Sequence, residues 1–303
     1  MAESVLDQSG STSPADGLRE RAQPSLVRDL LRSKKAVISL VMLALVIAVA
    51  VFAPLIAPFD PAKVGAGKYF APPSGLHLLG TDNLGRDVFS RIIWGSRVSL
   101  MAGLLVSLGA LLLGVPLGLL AGYFGRRADT FVMRAMDVVF AFPPVVMALF
   151  FASMIGLGMR TVLLALVIVF TPSVARVTRS AVLGVRLQVY IEAARTLGQS
   201  DFWIVLRHIL PNSLAPVIVQ ATLIMSYAIL SEAAISYLGL GTQSPEFSWG
   251  LMLSDASDYM WMAPHLALWP GLAIMLVVFT FNFLGDGLRD ILDPRQRSVL
   301  REQ

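Results

Sequence analysis

The stretch EAARTLG at residues 192–198, followed by HILPN at residues 208–212, decides how this chain is interpreted. It belongs to a polar, basic segment set between two long apolar segments. Apolar residues recur at helical spacing before the glycine: Leu187, Tyr190, Ile191, Ala194 and Leu197. Gly198 allows a sharp turn, because glycine adopts positive φ without steric cost. Ser200 is then expected to cap a second short helix that Pro211 ends, so the segment predicts two short helices protruding from the chain.

The composition is that of a membrane protein. Of the 303 residues, 56% are hydrophobic and 15% are charged, and the mean hydropathy is +0.71, whereas soluble domains carry roughly a quarter charged residues. The chain has no cysteine, which excludes disulfides and thiolate metal sites. Its three histidines lie far apart in sequence and suggest no metal-ligand spacing: His77, His208 and His265. We therefore expect no cofactor and no metal site.

Six apolar segments have the roughly 20 residues that a membrane-spanning helix needs. They cover about residues 36–57, 98–123, 131–155, 161–183, 214–238 and 266–284. Several prolines lie in or near them, where they kink helices and free carbonyl groups: Pro116, Pro143, Pro144, Pro172 and Pro270. The sequence therefore predicts an all-α, polytopic membrane protein with six transmembrane helices.

The same pattern divides the chain into four parts. Residues 1–35 are expected to form an N-terminal tail, and residues 36–97 the first span with an outer segment. Residues 98–290 are expected to form the core, which includes the long inner loop 184–213. Residues 291–303 form the C-terminal tail.

The distribution of positive charge predicts the orientation. If both ends lie inside, the inner side receives 18 of the 24 Lys and Arg residues, while the outer segment 241–265 has none. The positive-inside rule therefore places both termini in the cytoplasm. Arg86, Arg91 and Arg97 are exceptions, since they would lie outside. Asp82 and Asp87 offset them in part.

One ionisable residue lies inside the fifth apolar segment. Glu232 comes eighteen residues after Leu214, which places it roughly 27 Å along the helix and close to the outer surface. Such a residue faces a cavity or a partner rather than lipid. Two roles remain open for Glu232: a place on a transport pathway, and a structural hydrogen bond.

The motifs resemble those of one family. The E-A-A triplet, the glycine and the I-L-P sequence resemble the loop of the membrane subunits of bacterial ABC importers. Three further stretches resemble the second, C-type permease of the dipeptide/oligopeptide group, which also carries nickel, glutathione and opines. They are LGTDNLGRDVFSR at 79–91, SYLGLG at 236–241 and NFLGDGLRDILDP at 282–294. The resemblance covers about residues 30–296, although His208 stands where the general pattern has isoleucine.

The resemblance implies a type I ABC importer permease fold and a non-catalytic subunit that forms half of a translocation pathway in the bacterial inner membrane. It implies a homologous second permease, two ATP-binding subunits that hydrolyse ATP, and a periplasmic or extracellular solute-binding protein as partners, besides membrane lipid. The residues expected to couple to the ATPase are Glu192, Ala193, Ala194, Gly198, His208, Leu210 and Pro211. The resemblance implies a di- or oligopeptide or a related small solute as substrate, and which of these it is stays open.

Other functions have less support. A secondary transporter driven by an ion gradient would need ionisable pairs or broken helices at the bilayer midplane, and Glu232 alone is weak support for it. A membrane-embedded enzyme would need a converging catalytic set, which the sequence does not show. The chain has no glycine-rich phosphate loop ending in Gly-Lys-Ser/Thr. Basic residues lie mostly between apolar segments, so no nucleic-acid partner is expected.

Overall fold

The computed structural model describes residues 33–292, and this part of the chain is helical. The helices are α1 (Lys34–Val51), α2 (Ala53–Ile56), α3 (Val88–Phe124), α4 (Arg126–Phe140), α5 (Pro144–Ile155), α6 (Met159–Arg186), α7 (Val189–Thr196), α8 (Asp201–Ile204), α9 (Leu210–Tyr237), α10 (Trp249–Ser257) and α11 (His265–Leu292). The predicted tails lie outside the described residues, apart from 33–35 and 291–292.

Within residues 33–292, five helices are long and apolar enough to cross a membrane. They are α1, α3, α6, the continuous helix Asp201–Tyr237 and α11. Helices α4 and α5 pass the same test only as a pair, and they are bent by 87° relative to each other. The directions of the flanking helices, α3 and α6, show whether this pair crosses the membrane.

Helices α3 and α6 run parallel to each other. A Cβ built on Gly109 would meet Val167, and one built on Gly122 would meet Val182, so residue numbers rise together along both helices. Because α3 and α6 cross in the same direction, the chain between them must return across the membrane. The bent pair α4–α5 is therefore one broken span, and the described chain crosses six times, as the sequence predicted.

The third span is not the single helix predicted over 131–155. The helix is interrupted between Phe140 and Pro144. Proline has no backbone N–H, and it disfavours helical conformation in the residue before it. The consecutive Pro143 and Pro144 therefore end α4 and start α5 in a new direction.

The second span begins ten residues earlier than predicted. Helix α3 starts at Val88, where Asp87 is the N-cap and its carboxylate accepts a hydrogen bond from the Ser90 N–H at 2.8 Å. Asp87 also accepts from the His77 ring at 2.9 Å if Nδ1 carries the proton. The segment before the span is thus fastened to the start of α3.

A buried ion-pair cluster at this end of α3 accounts for two of the three arginines that contradict the charge rule, Arg86 and Arg91. Arg86 and Arg91 each contact Asp82 Oδ2 at 2.6 Å, and Asp255 Oδ2 lies 3.2 Å and 3.1 Å from them. Both arginines are more than nine-tenths buried. We call these four residues the arginine cluster. Since each guanidinium is neutralised by carboxylates, neither acts as a free positive charge.

Close packing along α3 forms the centre of the bundle. A Cβ on Gly114 would lie 2.5 Å from Val174 Cβ, and one on Gly118 would lie 2.5 Å from Thr178 Cβ. Small residues at such positions let two membrane helices approach closely. Helix α9 packs on both α3 and α6, and α1 packs on α11.

Candidate coupling surface

The segment 187–211, called the knob below, begins with helix α7 and a glycine turn. Gly198 has φ +79°, as the sequence predicted. Its N–H donates to the Arg195 carbonyl at 2.9 Å, and the Gln199 N–H donates to the Ala194 carbonyl at 3.1 Å. These bonds satisfy carbonyl groups that the end of α7 would otherwise leave free.

The second half of the knob differs from the prediction. Ser200 occupies the N-cap position of α8, but its side chain makes no capping hydrogen bond. Pro211 does not end the helix, because Val205–Ile209 forms a π-helical turn that leads directly into α9. Pro211 therefore stands directly after the π turn, inside the continuous helix Asp201–Tyr237. The wider π turn lets the chain continue through the proline.

Buried isoleucines attach the knob to the bundle. Ile191, Ile204 and Ile209 are each 0% exposed, and they pack with Tyr123 and Val182 near the ends of α3 and α6. The knob therefore has a fixed apolar base.

Polar contacts reinforce this base. The Tyr123 hydroxyl donates to Asp201, and the Arg195 guanidinium lies 5.2 Å from the centre of the Tyr123 ring. Arg186 Nη1 donates to the Tyr123 carbonyl at 2.8 Å. His208 Nε2 lies 3.1 Å from Gln199 Oε1 and so spans the glycine turn. The contacts that fix the knob come from elements far apart in sequence, and sequence patterns alone do not reveal them.

The seven residues predicted to couple to the ATPase lie mostly on the free surface of the knob. Glu192, Ala193, Gly198 and Pro211 are exposed, while Ala194, His208 and Leu210 are half-buried. Large apolar side chains surround them, with the exposed fractions Leu187 79%, Val189 82%, Leu197 87%, Phe202 69% and Trp203 54%. The apolar spacing in the sequence did not show that Ile191 faces inward while Leu187 and Leu197 face outward. Large apolar side chains that are exposed together in one short segment are typical of a protein or membrane contact.

Glu232 lies at the opposite end of α9 from the knob. It is 0% exposed, and its Oε1 accepts hydrogen bonds from the Ser236 hydroxyl at 2.7 Å and the Thr242 hydroxyl at 3.3 Å. The Ser236 Oγ in turn accepts from the Thr242 N–H at 3.1 Å. These bonds hold the segment after α9 against the helix. The geometry favours the structural role, and the pathway role stays a prediction.

The sequence matches a family model described as "Binding-protein-dependent transport system inner membrane component" over residues 114–298, more than half of the chain. The chain belongs to this family. A second model, "N-terminal TM domain of oligopeptide transport permease C", matches residues 25–73.

Curated relatives cover nearly the whole permease. It is 43% identical to a dipeptide transport system permease protein, DppC, of Alkalihalophilus pseudofirmus, over 89% of each chain. It is 43% identical to a glutathione transport system permease protein, GsiD, of Pectobacterium atrosepticum, over 89% of this chain and 90% of the relative. A probable D,D-dipeptide transport system permease protein, DdpC, of Escherichia coli is 40% identical over 89% and 91%.

A solved structure shows the same fold. An inward-facing methionine ABC transporter, MetNI, contains a chain that matches 67% of this permease and 97% of its own length, with a TM-score of 0.56 and 18% identity. The permease is therefore a multi-pass inner-membrane subunit of a binding-protein-dependent ABC importer, and the ATPase and the binding protein are its partners. This assignment replaces the alternative of an ion-gradient-driven transporter.

Proposed function

We propose that this permease pairs with a homologous second permease, so that each forms half of one translocation pathway. Two ATP-binding subunits dock on the cytoplasmic side, and a solute-binding protein delivers cargo from outside. ATP binding brings the two ATPase subunits together, and their movement switches the pathway between its two orientations.

The cargo we propose is a short peptide. Relatives of similar identity are named for dipeptides, D,D-dipeptides and glutathione. These compounds share a free ammonium group, at least one carboxylate and at least one amide linkage. A pathway built for that shared chemistry would serve each of them.

We propose that the knob is the ATPase docking surface. The supporting observation is that one side of the knob is buried against the bundle while the other side is exposed. Three fully buried isoleucines fix the base, while Leu197 is 87% exposed at the free surface. A surface that transmits a partner's motion must be rigid on one side and free on the other. The exposed carboxylate of Glu192 and the apolar residues beside it provide such a contact.

The test is ATP-dependent uptake by the complete importer in proteoliposomes. We expect a dipeptide such as Ala-Ala to accumulate only when ATP, the ATPase subunits and the loaded binding protein are present. Leu197→Glu should lower co-purification of the ATPase with the permease. Leu76→Glu is the matched control, because Leu76 is 67% exposed and lies in the segment before α3. Equal ATPase binding by the two variants would contradict the docking assignment.

A further inference from the structure

The break between α4 and α5 leaves backbone groups unpaired within a membrane span. Within the described chain, neither the Ala141 nor the Phe142 carbonyl accepts a hydrogen bond. Ala141, Phe142 and Pro143 are all exposed, and Phe142 is 47% exposed. Irregular backbone at membrane depth is tolerated only where protein covers it or where it lines a water-filled cavity.

An exposed ion pair lies beside the same break. Arg176 Nη2 donates to Asp137 Oδ1 at 2.9 Å, and the side chains are 40% and 51% exposed. The guanidinium carbon lies 4.3 Å from the centre of the Phe140 ring, the last residue of α4. In residues 33–292, Arg176 Nε, Arg176 Nη1 and Asp137 Oδ2 make no further hydrogen bond.

The pair lies level with the last two turns of α3, about 9 Å from the end of that helix. Val174 and Thr178, on either side of Arg176, pack against Gly114 and Gly118 of α3. Six further residues of α3 follow Gly118, about 9 Å of helix, and none is charged. A charge at this depth faces a bundle interior or a watery cavity rather than lipid.

We propose that Arg176, Asp137 and the carbonyls of Ala141 and Phe142 form a cargo-binding site on the wall of the pathway, and that it takes the backbone of a zwitterionic short peptide. The free guanidinium N–H groups donate to a cargo carboxylate or amide carbonyl. The free Asp137 oxygen and the two backbone carbonyls accept from the cargo ammonium or amide N–H. This site rests on the proposed function, since it needs a pathway through which peptide passes.

The neighbouring pair Arg179–Asp129 serves as an internal comparison. Arg179 binds Asp129 through both Nε and Nη2, the second at 2.5 Å, and its side chain is 33% exposed. Both carboxylate oxygens of Asp129 are thereby occupied. This second pair fastens α4 to α6 and leaves fewer free groups for cargo than the first.

Cysteine accessibility tests whether the break lines the pathway. The permease has no natural cysteine, so Phe142→Cys can be labelled in the assembled importer with an impermeant methanethiosulfonate. Leu112→Cys is the control, because Leu112 is 75% exposed on an uncharged stretch of α3 near the same depth. We expect Phe142→Cys to react at least about tenfold faster, as for a thiol ionised in water rather than held in an apolar layer. Equal rates would mean that lipid or the second permease covers the break, which would overturn the proposal.

Transport per ATP hydrolysed tests the binding role. We expect Arg176→Gln to lower Ala-Ala uptake per ATP about tenfold, the effect of losing one charge-assisted hydrogen bond. Arg179→Gln should lower uptake and ATP hydrolysis together, so that their ratio is kept. An unchanged ratio in Arg176→Gln would overturn the site while leaving the importer assignment intact. Absence of ATP-dependent uptake by the wild-type importer would instead contradict the proposed function.

Discussion

Gly198 sets the shape of the knob through its backbone conformation alone. No atom lies within 4 Å of the position where its Cβ would stand, and φ is +79°. A side chain at this position therefore meets no steric obstacle from its neighbours. It does meet the intrinsic cost of positive φ, which is about 1–2 kcal/mol for most residues and is most severe for β-branched ones.

We expect Gly198→Val to lower ATP hydrolysis stimulated by the loaded binding protein several-fold, while membrane insertion is kept. Gly198→Asn should retain more activity, because asparagine tolerates this conformation. Gly184→Val is the matched control, since Gly184 lies in α6 with open space around its Cβ position and no positive φ. The measurement is ATP hydrolysis stimulated by the loaded binding protein, compared among the three variants. Wild-type coupling in Gly198→Val would show that the turn does not transmit the motion.

For Glu232 we expect Gln to be tolerated and Leu not to be. Glutamine retains an oxygen that accepts from Ser236 and Thr242, whereas leucine leaves both hydroxyls without that acceptor. Glu232→Leu should lower the free energy of unfolding by about 1–3 kcal/mol, measured as a fall in melting temperature in detergent. If Glu232→Gln were stable but transported poorly, the charge would serve the pathway, contrary to this expectation.

At the scale of helices, sequence periodicity and length were sufficient to locate the spans. They were not sufficient to locate the breaks. Two prolines gave opposite outcomes: Pro143 interrupts a span, whereas Pro211 stands inside the continuous helix Asp201–Tyr237. The difference depends on what precedes the proline. Before Pro211 a π turn adjusts the path of the chain, and its formation depends on packing of Ile204 and Ile209 that a one-dimensional pattern does not contain.

The close contact of α3 with α6 gives a prediction at the same scale. We expect Gly118→Ala to lower the free energy of unfolding by about 1–3 kcal/mol, because overpacking forces the backbones apart. The added Cβ would lie 2.6 Å from the Ala175 carbonyl oxygen, which cannot move independently of α6. Gly271→Ala is the control, since nothing lies within 4 Å of its Cβ position in α11. Thermal unfolding of both variants in detergent is the measurement, and equal losses would contradict the packing argument.

Across the whole molecule, the directions of the helices and the distribution of positive charge support the same arrangement in the membrane. Parallel α3 and α6 require the broken span between them, which makes the number of crossings even and puts both ends of the described chain on one side. The positive charges that opposed this orientation are largely accounted for by the arginine cluster, because Arg86 and Arg91 are paired with Asp82 and Asp255. The contacts to Asp255 join residues more than 160 positions apart, and this is why the charge count alone explained the exception only in part.

Single cysteines at Ser200 and Asp258 test the orientation of the whole chain. Both positions are exposed, and the membrane-crossing helix Asp201–Tyr237 separates them. The loop around Ser200 carries Arg186, Arg195 and Arg207, whereas the segment 241–265 has no Lys or Arg. The positive-inside rule therefore places Ser200 in the cytoplasm and Asp258 outside.

We expect an impermeant maleimide to label Asp258→Cys in intact cells and to label Ser200→Cys only after the membrane is opened. The natural chain, which has no cysteine, provides the unlabelled control. The reverse pattern would invert the orientation and place the knob on the side away from ATP, so the docking proposal would fail with it. Labelling of both positions from outside would mean that the helix between them does not cross, which would contradict the six-span arrangement itself.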